Sequence, residues 1–379
     1  MKFLHISDLH LGKRLNEFSL LEDQRYILEK ILEIAENERP DAVLIAGDIY
    51  DKSVPSAEAV ELFDEFIVKL ADLKLESFII SGNHDSPERL AFGGRLIDLS
   101  GIHLSPVYSG SVVPITLSDE YGDVNVYMLP FIKPVNVRRF FRDAEIASYT
   151  DAVSVAIKAM NVDPEKRNVL IAHQFVTGAT RSDSEDVSVG GLDNVDASVF
   201  CDFDYVALGH IHKPQNIGAC KIRYSGTPLK YSFSEANHEK SVTVAELAEK
   251  GNLAVRTIPL FPLHELRELK GSYAELTLKS FYEDTSYRTD YVHITLTDEE
   301  DVPDAIGKLR VIYRNLMRLD YDNLRTRAAG VAAEIDDIET LSPLELFAAF
   351  YEKQNGAPMS EIQTAFVEKL IESVWEDER

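Results

Sequence analysis

Cysteine is nearly missing from this chain, with only Cys201 and Cys220 among 379 residues. Two isolated thiols cannot form a disulfide framework, and without paired CxxC spacing they do not make a structural zinc site, so both read as ordinary reduced thiols. Basic charge is scarce too. Lys and Arg number 39 against 64 Asp and Glu, a formal charge of −25, so the broad basic surface typical of nucleic-acid-binding domains is lacking. Part of the imbalance is local, because Leu341 to Arg379 is acid-rich, and bound cations would offset more of it. No apolar run approaches the roughly 18 residues that a membrane-spanning helix needs. The N-terminus enters a buried-strand pattern at Phe3 without the apolar stretch of a signal peptide. A cytoplasmic protein with no membrane partner is therefore expected. Internal repeats are absent, so nothing points to a solenoid or propeller.

What is present is an apolar share of 45%, ordinary for a globular protein, at a length that favours two or three domains. Short apolar runs at Phe3–Ile6, Ala42–Ala46, Phe78–Ile80, Val169–Ala172 and Tyr205–Leu208 read as strands buried on both faces, with helical patterns between several of them. This is an α/β layout. A helix is expected over Ser56–Leu73, where Val60, Phe63, Ile67 and Leu70 recur at helical spacing. Alternating strands follow from Ser111 to Met128, with a turn at Tyr121-Gly122-Asp123, and more β-like segments run from Arg223 to Pro259.

Chemistry-bearing residues cluster at the ends of those runs: Asp8-Leu9-His10, Gly47-Asp48, Gly82-Asn83-His84-Asp85, His173, and Gly209-His210-Ile211-His212. Open α/β sheets bind their ligands at the carboxyl ends of strands. A lone Asp-x-His is usually a satisfied polar pair, but five such endings in one fold point to a metal centre. Imidazole, carboxylate and amide oxygen without thiolate suit Mn²⁺, Fe²⁺ or Zn²⁺. Asp8, His10, Asp48, Asn83, His173, His210 and His212 are too many ligands for one ion and suit two. Two dications about 4 Å apart repel by roughly 20 kcal/mol even at an effective dielectric of 20, so a bridging anion is required. Asp48 is the natural carboxylate bridge, with an acidified water as the second.

This ordered set resembles the calcineurin-like metallophosphoesterases, whose pattern runs Asp-x-His, Gly-Asp-x-x-Asp, Gly-Asn-His-Asp, His, Gly-His-x-His. The resemblance implies two central β-sheets flanked by helices. It assigns Asp8, His10, Asp48 and His212 to one metal and Asp48, Asn83, His173 and His210 to the other. It makes His84 the catalytic histidine that protonates the leaving oxygen, with Asp85 orienting it. Asp51 stands where some archaeal and eukaryotic relatives carry a histidine, and its role stays open, with support of the ligands the expected one.

Longer stretches, His5 to Gly12, Ser182 to Glu185 and Tyr224 to Glu235, resemble the SbcD nucleases, bacterial counterparts of the double-strand-break repair nucleases. That likeness implies a nuclease domain over 1–262, a small α+β capping domain over 263–340, and a C-terminal helix pair over 341–379 that docks an SbcC-type ATPase. It also implies Mn²⁺-dependent 3′ to 5′ degradation of duplex ends, hairpin and single-strand opening, and a homodimer, with the helix from Ser56 a candidate contact, inside a heterotetramer serving DNA repair, recombination and replication. Arg89, Lys133, Arg138, Arg139, Arg142, Arg181 and Lys213 are candidate DNA contacts.

In the capping region, strands are expected at Ala274–Leu278 and Tyr291–Leu296 and a helix from about Asp304 to Leu316. In the tail, Ser342-Pro343-Leu344-Glu345 and Ser360-Glu361-Ile362-Gln363 read as capping boxes. Leu346, Phe347, Phe350 and Tyr351 form one apolar stripe, and Ile362, Phe366, Leu370 and Val374 form another. A small-molecule phosphodiesterase and a non-catalytic scaffold remain alternatives. The protein-phosphatase branch fits less well, since it has Glu where this chain has Asp85 and Arg where it has Tyr50-Asp51.

Overall fold

Strands that are apolar on both faces need cover on both faces, and the computed structural model supplies it. It describes residues 1–182, 185, 193–218, 221–326, 343–355 and 358–376. Cys220, Asp183, Ser184, Leu341, Ser342 and Gly356 lie outside the described residues. The side chains of Leu346, Ile362 and Val374 do so as well. The chain divides into two compact units, Met1–His264 and Glu265–Arg379.

The strands of the first unit are, in order, β1 (Lys2–Ile6), β2 (Arg14–Leu15), β3 (Phe18–Ser19), β4 (Ala42–Ala46), β5 (Glu76–Ile80), β6 (Ile102–Leu104) and β7 (Ile115–Asp119). They continue with β8 (Gly122–Leu129), β9 (Arg167–His173), β10 (Tyr205–Gly209), β11 (Gln215–Asn216), β12 (Ile222–Tyr224), β13 (Ser241–Leu247) and β14 (Leu253–Pro259). Twelve of them form two six-stranded sheets, ordered β14-β13-β1-β4-β5-β6 and β11-β12-β10-β9-β8-β7, while β2 and β3 form a small hairpin. Phe3, Leu44, Phe78, Val126, Val169, Ile171, Tyr205 and Ala207 fill the space between the sheets. The alternate residues Leu170, Ala172, Val206 and Leu208 pack instead with Ala152, Val153, Ala156 and Ile157 of the helix Tyr149–Ala159. Period-2 alternation thus sends both sets of side chains into a core, which is why the runs are almost wholly apolar; the exception, His5, has its Nδ1 2.8 Å from the Tyr205 hydroxyl. Each fully buried aliphatic side chain contributes roughly 1.5–3 kcal/mol. The helix expected from Ser56 spans Ala57–Asp72, capped by the Ser56 side chain. A second long helix, Leu21–Glu38, buries Ile27, Leu28, Ile31 and Ala35.

In the second unit β15 (Leu266–Gly271), β16 (Tyr291–Leu296) and β17 (Asn315–Tyr321) form a parallel sheet. Two expectations fail here. Ala274–Leu278 is not a strand: Tyr273–Leu276 is a helical turn, because Ser272 and Glu275 form a reciprocal capping box. The helix expected from Asp304 to Leu316 stops at Arg310, and Asn315 already begins β17. Leu309 and Tyr313 still reach the core, which makes a continuous helical stripe look plausible in sequence. The tail holds helices Pro343–Asn355 and Glu361–Glu376. The second starts on its capping box, with Ser360 N–H donating to Gln363 Oε1 at 2.9 Å and Gln363 N–H to Ser360 Oγ at 3.4 Å.

Candidate metal centre

Parallel β1, β4 and β5 of one sheet and parallel β9 and β10 of the other all end at the same polar cluster. The backbone there is tightly cornered. Asp8, His10, Asp48 and His210 have φ of +53°, +44°, +51° and +100°. Such conformations cost about 1–3 kcal/mol each for non-glycine residues and persist only where surrounding bonds enforce them. Here they are enforced: Asp8 N–H donates to Gly47 O at 3.0 Å, His10 N–H to Asp48 O at 2.9 Å, and His210 N–H to Asp8 Oδ1 at 2.9 Å. The glycines that precede the ligands are dictated by crowding. A Cβ at Gly82 would lie 2.1 Å from Asp48 Oδ1, and one at Gly209 would lie 1.9 Å from Ala46 O.

Asp8, His10, Asp48, His173 and His212 are almost wholly buried, and their polar atoms point at one another. His10 Nε2 lies 3.2 Å from His212 Nε2. His173 Nε2 lies 2.9 Å from Asn83 Oδ1, and His210 Nδ1 is also 2.9 Å from that oxygen. Asp48 Oδ2 stands between the two groups, 3.3 Å from His173 Nε2 and 3.7 Å from His10 Nε2. The three sets Asp8/His10/His212, His10/Asp48/His84 and Asp8/Asp48/His173 each bring their ligand atoms within 4.8 Å.

The tautomer of His173 decides what this arrangement requires. Its Nδ1 faces Ala46 O at 2.8 Å, and a carbonyl only accepts, so Nδ1 carries a proton. In the neutral ring Nε2 then holds a lone pair, aimed at the lone pairs of Asn83 Oδ1 and Asp48 Oδ2. Buried lone pairs facing one another need a proton or a metal ion between them. With no metal bound, the charges place a proton on this ring. Burial pulls the His173 imidazole down, but the Asp48 and Asp8 carboxylates outweigh it and raise it to about 9. Burial alone would raise Asp48, yet His173, His10 and His84 hold it well below the usual carboxylate range. His210 is pushed down to about 3 by burial and by His173, leaving it neutral and able to donate a lone pair. This donor set suits a divalent ion.

His84 and Asp85 sit beside these groups. His84 N–H donates to Asp48 Oδ1 at 2.9 Å, and its Nδ1–H to Asp51 O at 3.0 Å. Asp85 accepts from the backbone N–H groups of Ile49, Tyr50 and Gly82 at 3.1, 2.9 and 2.9 Å. The carboxylate expected to orient His84 thus ties together the two loops that flank it, and the ring's Nδ1–H donates to the backbone carbonyl of Asp51. The Asp51 carboxylate pairs with Lys13 at 2.8 Å and lies 3.8 Å from His10 Nδ1.

Several supporting residues escaped the sequence reading. Gln24, on the helix Leu21–Glu38, donates to His10 O at 2.7 Å and accepts from Gly12 N–H at 3.0 Å. Tyr231 donates to Leu9 O. Glu185 accepts from His212 N–H at 2.6 Å, and Glu235 Oε1 lies 3.4 Å from His212 Nδ1. Lys240 ties Glu235 to the His212 carbonyl, which it reaches at 2.8 Å. Glu185, Tyr231 and Glu235 fall in stretches that carried a family likeness but no assigned role; Gln24 carried no signal. Among the basic candidates, Arg181 lies 3.5 Å over the Phe175 ring and pairs with Asp193 at 2.8 Å, while Arg138 donates to Ile146 O at 2.7 Å.

Known proteins share both parts of the chain. The calcineurin-like phosphoesterase family matches residues 1–214, and a family described as the type 5 capsule protein repressor C-terminal domain matches residues 262–355. The SbcD subunit of the SbcCD nuclease of Staphylococcus epidermidis is 34% identical over 385 residues, covering 100% of both chains. Its counterpart from Staphylococcus saprophyticus is 32% identical over 381 residues, covering 100% of this chain and 99% of the relative. Among solved structures, TT1561 of Thermus thermophilus is 15% identical with a TM-score of 0.39, covering 68% of this chain and 98% of its own. A dimetal phosphatase from Danio rerio is 11% identical with a TM-score of 0.41, covering 68% and 95%.

Proposed function

The chain belongs to the calcineurin-like phosphoesterases and, within them, to the SbcD nucleases, and on that premise we propose how its residues divide the work of cutting DNA. It is a metal-dependent phosphodiester hydrolase with a nuclease role. In our reading Asp8, His10, Asp48 and His212 hold one divalent ion and Asp48, Asn83, His173 and His210 the other, with Mn²⁺ the working metal. The observation that carries this is the position of Asp48 Oδ2 between His173 Nε2 and His10 Nε2, one from each group. When bound, the ions supply Lewis-acid polarisation of the phosphoryl oxygens and acidify a water.

The protein's own residues do the rest. Asp85 fixes both loops around His84, and the Asp51 carbonyl holds the Nδ1 proton, so Nε2 is the atom that carries the second proton of the imidazolium and gives it to the leaving oxygen, leaving the ring neutral. Gln24 and Tyr231 clamp the Leu9-His10 backbone, and Glu235 stands behind His212.

We assign the chain duplex-end 3′ to 5′ exonuclease and hairpin or single-strand endonuclease activity in the cytoplasm, in DNA repair, recombination and replication. We assign it a domain division at 1–262, 263–340 and 341–379, and an SbcC-type ATPase docked on the C-terminal helices. Phe347, Phe350, Phe366 and Leu370 are 42%, 57%, 67% and 52% exposed there, which supports a large apolar partner. A homodimer is supported by an apolar cleft of 650 Å³ whose lining includes Val60, Phe63, Ile67, Phe92 and Ile97, with Leu96 and Leu99 80% and 93% exposed. The test of the activity is Mn²⁺-dependent cleavage of a hairpin-ended duplex beside bis-p-nitrophenyl phosphate, for wild type and His84→Gln. Cleavage of both substrates, abolished in the variant, is the expected result; hydrolysis of only the small ester, even with the ATPase present, would overturn the nuclease reading.

A further inference from the structure

A second cavity, of 740 Å³, lies apart from the metal ligands and is lined by Lys213, Arg223, His238, Glu239 and Lys240 among others. It sits at the metal-bearing end of the sandwich, since β13 enters there antiparallel to β1, pairing Thr243 with His5. Its wall adjoins the metal centre, because Lys240 Nζ donates to His212 O at 2.8 Å.

The lining is electrically lopsided, with the cations Lys213, Arg223 and Lys240 against the single carboxylate of Glu239. Lys240 is already committed: its ammonium bonds His212 O, Thr227 Oγ1 and Glu235 Oε2, and that carboxylate neutralises it. Arg223 is different. It is 8% exposed, yet its partners are neutral, Nε donating to Thr243 Oγ1 at 2.9 Å and Nη1 to Asn216 Oδ1 at 2.6 Å. Among the described residues it has no carboxylate partner, and Lys213, also without one, stands at the rim. Buried guanidinium groups are normally paired. His238 adds a buried Nδ1 with no hydrogen-bond partner. A buried cation without a counter-anion, an orphaned ring nitrogen and a rim lysine around one open cavity are the parts of an anion site.

We infer that this cavity is a phosphate-binding subsite, in which Arg223 and Lys213 hold a phosphate group of a nucleotide or DNA strand beside the scissile position. This rests on the nuclease reading for its ligand class. A subsite here would place positive charge near the centre in a chain of formal charge −25.

The test uses the metal-loaded full chain and a fluorescent, phosphorothioate-linked single-stranded oligonucleotide, followed by anisotropy across a salt series. Arg223→Gln and Lys213→Ala should each weaken binding about tenfold and flatten the slope of log K against log salt by about one. Deoxyadenosine monophosphate as competitor distinguishes the sources. Displacement from wild type but not from the variants supports a mononucleotide ligand, whereas weakened oligonucleotide binding without displacement supports a strand phosphate. Unchanged affinity and slope in Lys213→Ala and in a folded Arg223→Gln would overturn the subsite; should Arg223→Gln fail to fold, unchanged binding in Lys213→Glu does so instead. Wild-type cleavage of the hairpin duplex, run in parallel, separates failure of the subsite from failure of the nuclease reading.

Discussion

Two histidines, one in each unit, sit between oxygen acceptors and have opposite meanings. His293, on β16, lies 2.8 Å from Asp320 Oδ2 and 3.5 Å from Glu268 Oε1, but those carboxylates are 40% and 55% exposed. Water screens that cluster, and it is an ordinary surface network. His173, at the end of β9, is 0% exposed and lies 3.3 Å from an Asp48 carboxylate that is 3% exposed. No solvent compensates the Asp48 carboxylate there, so a proton on His173 or a bound metal ion must. Similar residue types and distances thus make a surface charge pair in one unit and a metal centre in the other, and burial decides between them.

The sharpest way to break this comparison is Asp48→Ala. It should cost on the order of 10⁴-fold in hydrolysis of bis-p-nitrophenyl phosphate together with loss of bound metal, read by kinetics and elemental analysis. His84→Gln should keep the metal and the melting temperature while lowering kcat by about 10²- to 10⁴-fold. Glu235→Gln should lower metal affinity about 10- to 100-fold, measured by metal titration, because it loosens His212 from behind. At the other end of the scale, His293→Ala should leave metal content and kcat unchanged and shift stability by no more than about 0.5 kcal/mol in denaturant melts. An Asp48→Ala chain that behaves like His293→Ala would erase the distinction.

The strands and ligands of the first unit were legible for one physical reason. Strands buried on both faces carry few polar residues, and those inside them, such as His5 and Asn168, are bonded within the fold, so the run of Asp8, Asp48 and His173 at strand ends stands out. Crowding adds the glycines at Gly82 and Gly209, where no Cβ fits. The helix Leu21–Glu38 was not legible, because its N-cap is Leu20 and no side chain caps it; Gln24 went unread with it. Glu235 and Lys240 were hidden as well, since a buried ion pair leaves no periodic mark. In the second unit, local signals competed: Ser272 and Glu275 turned an alternating stretch into a helical turn, and β17 took over a stripe that looked helical.

The most direct test of the central claim is Mn²⁺ anomalous diffraction from crystals of the full chain. The account predicts two peaks per chain, one among Asp8, His10, Asp48 and His212 and one among Asp48, Asn83, His173 and His210, with Asp48 common to both. A single peak, or two that do not share Asp48, would contradict it.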